Sequence, residues 1–143
     1  MRRAWKFAVA GAVALAAVAG GGYWWEVTPK YHVAVPAASA QPGAVVRAYM
    51  RALDAHDAGT ARALSTSDHR AVTGSWLKDT SGLKALTVSA PITEGSEVTV
   101  PVRFDLHEHW WTDDSSMGPG RHDWSYILVH RQGRWLIKDE GMG

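Results

Sequence analysis

Three patterns of hydrophobic and polar positions divide this chain. Sixteen residues from Phe7 to Gly22 carry no charge, apolar positions return at helical intervals from Val45 to Leu53, and they alternate strictly with polar ones from Val98 to Leu106. The uncharged run predicts a transmembrane helix over residues 7–25. Nineteen residues at helical rise span roughly 28 Å, close to the hydrocarbon thickness of a bilayer. Trp5 at one end and Tyr23-Trp24-Trp25 at the other suit the two interfaces. Arg2, Arg3 and Lys6 keep residues 1–6 as a cytoplasmic basic tail and send the remainder across. The run holds five strongly apolar residues, Phe7, Val9, Val13, Leu15 and Val18, together worth about −1.5 to −3 kcal/mol toward insertion. A cleavable signal peptide with Ala17-Val18-Ala19 as its small-x-small site is the alternative, and it would release a secreted protein. The aromatic triplet favours a retained anchor: a single-pass cell-membrane protein whose C-terminal domain is extracytoplasmic.

Residues 26–41 lose periodicity, carry Pro29, Pro36 and an Ala-Ala-Ser-Ala run, and read as a linker. One domain is expected over residues 42–143. Pro42, a favoured first-turn residue, opens a helix to about His56. Asp57 caps a second through Leu64, and Ser67 or Asp68 begins a third through Lys78 that carries Val72, Trp76 and Leu77. The period then switches to two. Strands are predicted over 83–90, 97–110, 122–131 and 134–140, with a polar loop over 112–121 and a tight turn at Gln132-Gly133. That turn sets Arg131 opposite Arg134, His130 by Trp135, Leu128 by Ile137 and Tyr126 by Asp139. Trp124, Tyr126, Leu128, Trp135, Ile137 and Asp139 then share a core face covered by the first helix, with a conical cavity between them. Val129 and Leu136 fall on the other face with Arg131, Arg134 and Lys138.

Composition narrows the function classes. Of the 15 Lys and Arg, three lie at positions 2, 3 and 6, leaving 12 against 14 acidic residues, so no basic patch favours nucleic acid as a partner. Cysteine is absent, which removes disulfides, a lipobox and thiol catalysis. Tryptophans 76, 110, 111, 124 and 135 can supply much of the core instead.

Over residues 42–140 the chain resembles the nuclear-transport-factor-2-like superfamily. The resemblance is carried by the opening helix ending in Arg-Ala-Leu-Asp-Ala-His-Asp-Ala-Gly (51–59), the two short helices, and the closing Gly133-Arg134-Trp135-Leu136-Ile137-Lys138-Asp139. It implies the fold class: α+β, a transmembrane helix followed by a cone-shaped domain of three helices and a curved antiparallel sheet. The superfamily includes isomerases, dehydratases and binding domains, so membership selects no activity. The architecture also looks like the inner-membrane scaffold subunits of secretion and conjugation machines, which implies a membrane-complex protein partner. The Ala-, Arg- and Trp-rich composition resembles actinobacterial secreted and membrane proteins. A homodimer through the outer sheet face is conceivable, though Arg131, Arg134 and Lys138 charge that face.

Three constellations could carry chemistry. A buried Asp139 beside Tyr126 could hold a proton and stabilise an enolate, unless Asp139 ends its strand near solvent and Tyr126 merely bonds it. His107, His109 and His122, with Asp113 and Asp114 nearby, could hold zinc, although strand parity puts the first two on a solvated polar face. Trp110 and Trp111 point opposite ways on a strand, so one ring is available for a partner unless the chain bends and both pack. No nucleotide fingerprint, phosphate-cradling loop or cofactor signature is present. The sequence therefore predicts an anchored binding or scaffolding domain, with a small-molecule enzyme or ligand carrier as the alternative.

Overall fold

The computed structural model describes residues 28–109 and 117–142. Pro42 starts helix α1 (Pro42–Ala55), whose Val45, Val46, Tyr49, Met50, Ala52 and Leu53 are all buried on one face. The helix ends at His56 in the left-handed region (φ 57°), whose N–H returns to the carbonyls of Ala52 and Leu53. Asp57 caps α2 (Ala58–Ala63) by accepting from the Thr60 N–H at 3.2 Å. A single 3₁₀ turn (Ser67–His69) leads into α3 (Arg70–Asp79).

Five antiparallel strands follow: β1 (Thr80–Val88), β2 (Ile92–Glu94), β3 (Glu97–Glu108), β4 (Gly120–Arg131) and β5 (Arg134–Met142). Their order is β1-β3-β4-β5, and the short β2 also pairs with β3. The strict alternation of β3 buries Val98, Val100, Val102, Phe104 and Leu106 toward the helices. Across β4 these meet Leu128, Tyr126, Trp124, His122 and Gly120 in register. The far end of the sheet is stitched to the helices by Ile137, whose N–H and C=O bond Leu64 O and Thr66 N, each at 2.8 Å.

One expectation is corrected here, and another lies outside the described residues. The expected conical cavity is filled: Tyr49, Met50, Leu53, Phe104, Tyr126, Leu128 and Ile137 occupy the space between α1 and the sheet, each almost wholly buried. Tyr49 meets Tyr126 edge to face at 5.4 Å and 74°, a favourable aromatic geometry. The expected membrane span, residues 7–25, lies outside the described residues, among which no helix is long and apolar enough to cross a membrane. Over the described residues the fold class, expected as a transmembrane helix with a cone-shaped nuclear-transport-factor-2-like domain, is corrected to helices followed by an antiparallel sheet.

Residues 28–41 carry no helix or strand, yet they are fastened to the domain. Lys30 N donates to Ala55 O at 2.7 Å, and the buried Val33 donates its N–H to Asp57 Oδ2 at 2.9 Å. Thr60 Oγ1 completes the clasp with Val33 O at 2.7 Å. Burial pushes the Asp57 carboxyl up, but the N–H groups of Val33 and Thr60, the Thr60 hydroxyl and nearby His32 more than offset this and hold it below the ordinary range.

Asp57→Ala removes both the helix cap and the acceptor for a buried N–H, so a loss of about 2–3 kcal/mol is expected in urea unfolding, with Asp57→Asn costing less. Because the folded carboxyl titrates below its unfolded value, its stabilisation is complete above about pH 4 and disappears as pH falls through the folded value. Acid titration of wild type against Asp57→Asn checks the sign.

Candidate functional site

The expected Tyr126–Asp139 pair is not formed. A β-bulge at Lys138 inserts one residue between Leu128↔Ile137 and Ile127↔Asp139, so Tyr126 faces Glu140 instead. Asp139 is left exposed, its Oδ1 accepting only the Glu140 N–H at 2.8 Å. The bulge follows directly on Ile137, the residue that the chain between α2 and α3 pins from the side.

Glu140 takes the inward position, with 5% of its side chain exposed. Its Oε2 accepts the indole N–H of Trp76 from α3 at 2.8 Å and that of Trp124 from β4 at 2.9 Å. Oε1 lies 3.0 Å from His69 Nε2, close enough for an ionic contact but without hydrogen-bond alignment. His69 is itself 2% exposed and packs at 6.2 Å from the Tyr49 ring. Behind it runs a hydroxyl chain: Tyr49 to Thr73 at 2.9 Å, Thr73 to Ser65 at 3.0 Å, and Ser65 to Ala61 O at 2.9 Å. The Tyr126 hydroxyl is buried with no hydrogen-bond partner among the described residues. Burial first, then the Glu140 charge, push the Tyr49 and Tyr126 phenols far above the ordinary range, so both stay neutral.

The histidines expected to bind metal do not converge. His122 stands opposite the inward-facing Phe104, its ring 5.8 Å away, and donates to Gly118 O. His107 is exposed on the other face, and His109 lies beside His56 at 6.2 Å. Among the described residues no group of three or more His, Asp or Glu is placed to hold a metal ion. Trp110 and Trp111 lie outside the described residues.

Two of the surface openings formed by the described residues bear on the site. One, of about 210 Å³, lies between α3 and the sheet over Trp76, Leu106, Met117 and Trp124, so the indoles separate it from Glu140. The other, of about 500 Å³, is a groove between α1 and β1, with Met50, Leu83, Leu86 and Val88 along it and Arg47, Arg51 and Lys84 at its margins. Neither is lined by Tyr126, His69 or Glu140.

No family model matches the chain and no curated protein matches it. Among solved structures it is similar to the solution structure of a SEC-C motif containing protein from Rhodopseudomonas palustris, at TM-score 0.49 and 17% identity. That match covers 71% of this chain and 78% of the other. Nothing is carried over from a likeness at this level. The expected membership of the nuclear-transport-factor-2-like superfamily, as a membrane-anchored actinobacterial-type member, is corrected: no family model and no curated protein supports it.

Sequence reasoning missed Glu140 and His69. His69 falls in the first turn of the helix predicted from Ser67 or Asp68, and Glu140 was hidden by the bulge. The one available signal was chemical: buried indoles at Trp76 and Trp124 each need an acceptor, and Glu140 is the next carboxylate after Asp139. Glu140→Ala leaves both indole N–H groups unmade and is expected to destabilise by about 2–4 kcal/mol, whereas Asp139→Ala stays within about 1 kcal/mol. Tyr126→Phe, which removes an unpartnered hydroxyl, is expected to be neutral or slightly stabilising. Urea unfolding followed by tryptophan fluorescence separates the three.

Proposed function

We propose that this chain is a binding or scaffolding domain whose interior holds the fold together and whose surface does the work. The supporting observation is the closure of the interior. Every chemically versatile group found there, Glu140, His69, Tyr49 and Tyr126, is buried behind Trp76, Trp124 and Phe104, away from both surface openings. A general acid or base must come within hydrogen-bond reach of a substrate atom, and none of these groups lines either opening. Catalytic machinery also needs a pKa matched to its task, whereas burial raises both phenols further above the working range and keeps them protonated.

The groove between α1 and β1 is the larger opening and combines apolar walls with charged margins, the composition expected of a recognition surface. The test is cross-linked affinity purification of the full chain from its native cells, with the cross-linked residues identified by mass spectrometry. A reproducible protein partner, joined through side chains of the described surface such as Lys84, is the expected result. A solitary chain that turns over a small molecule, with turnover lost in Glu140→Gln, would replace this reading with the enzyme or ligand-carrier alternative.

A further inference from the structure

We propose that the outer edge of β1 from Lys84 to Val88 receives an extended acidic segment of a partner protein, which adds to the sheet as a further strand. This rests on the binding-domain reading above and names its site and the chemistry of its partner.

The edge falls into two halves. Its first half is covered by the chain itself: His56 Nε2 donates to Thr80 O at 2.7 Å, Lys30 Nζ donates to Ser81 O, and Leu83 N donates to Asp54 Oδ1 at 2.9 Å. From Lys84 onward no such cover exists among the described residues. β1 ends the strand order, and Lys84, Ala85, Leu86 and Thr87 are exposed, Leu86 at 45%. Proteins ordinarily blunt an open edge, because a row of unpaired N–H and C=O groups invites another strand. Here the covering side chains stop where the groove begins, and what remains on the open stretch is Lys84 and a bulge at Leu86, between the pairs Ala85–Phe104 and Thr87–Arg103. At about 3.3 Å per residue the open stretch offers roughly 17 Å, enough for about five residues of an incoming strand.

The charges choose the partner. Arg47 and Arg51 project from α1 and Lys84 from β1, and none is paired with a carboxylate among the described residues. Asp54, the one acidic residue lining the groove, already holds the Tyr31 hydroxyl at 2.7 Å and the Leu83 N–H. Asp105, opposite Lys84 in register, forms no ion pair with it. Three free cations beside an apolar wall of Met50, Leu86 and Val88 complement a strand in which acidic and aliphatic residues alternate, and they repel a basic one. They also oppose pairing of two β1 edges from two copies of this chain, since each copy would bring Lys84 to the other.

The probe is a short peptide in which Val and Glu alternate, compared with its Val and Lys counterpart, on the full chain. Two readouts are used: fluorescence anisotropy of the labelled peptide, and amide hydrogen exchange of Lys84–Val88. The acidic peptide is expected to bind, to slow exchange across Lys84–Val88, and to weaken as salt rises. Arg47→Glu with Arg51→Glu should weaken it at least about tenfold, with an unchanged melting temperature because both side chains are exposed. Binding without exchange protection at Lys84–Val88, equal binding of the two peptides, or binding of neither would overturn the proposal. So would protection of the same residues in a peptide-free dimer, which would make a second copy the occupant. If a partner is captured and cross-links elsewhere, this inference falls while the binding-domain reading stands.

Discussion

Two indole N–H groups from different layers, Trp76 on a helix and Trp124 on a strand, converge on one oxygen of Glu140, and much of the architecture depends on that convergence. A buried N–H without an acceptor costs about 1–3 kcal/mol, more than a typical hydrogen bond contributes net. The carboxyl is therefore less a source of attraction than the removal of a penalty that large aromatic residues would otherwise impose. Its presence lets α3 lie against β4 with Trp76 edge to face on both Phe104 and Trp124, at 6.0 and 6.3 Å. His69 beside Oε1 carries the same constraint into the turn before α3, and the hydroxyls of Tyr49, Thr73 and Ser65 extend it to α1. In a chain with no cysteine, this polar seam complements the packing that holds helices to sheet.

Much of the element order was legible in local periodicity, because amphipathic spacing reports which face each segment buries. The switch in period near residue 80 separates α3 from β1, and Gln132-Gly133 sets the hairpin register as far as Ile137. Beyond that residue local pattern fails. Ile137 is held from the side by Leu64 and Thr66, more than seventy positions earlier, and the bulge that follows turns Asp139 out and Glu140 in. Strand alternation has a period of two, so one inserted residue exchanges the acid that faces solvent for the acid that faces the core. β2 was illegible for a different reason: its three residues are all exposed and leave no alternation to detect. The cavity was misjudged because spacing shows which residues point inward but not whether their volumes fill the space between layers.

The two sides of the domain treat polar groups in opposite ways. Inside, carboxyl, imidazole, hydroxyls and indoles largely satisfy one another, with the Tyr126 and Thr66 hydroxyls and Glu140 Oε1 left without a hydrogen bond among the described residues. At the β1 edge the chain spends side chains on only part of the backbone. His56, Lys30 and Asp54 shield Thr80 to Leu83, and three cations beside the part left open have no carboxylate partner among the described residues.

That contrast bears on where a ligand can act. Admitting one to the interior means parting aromatic rings from Glu140 and orphaning two indole N–H groups, a cost of several kcal/mol that its contacts would have to offset. Adding a strand at Lys84 to Val88 displaces only water from backbone groups that already face outward, and charge attraction to Arg47, Arg51 and Lys84 comes with it. Equal contact chemistry would thus bind more tightly at the edge than in the core. The edge strand is paired along β3 and packed on α1, so a partner strand would meet a preformed surface and lose little affinity to ordering it.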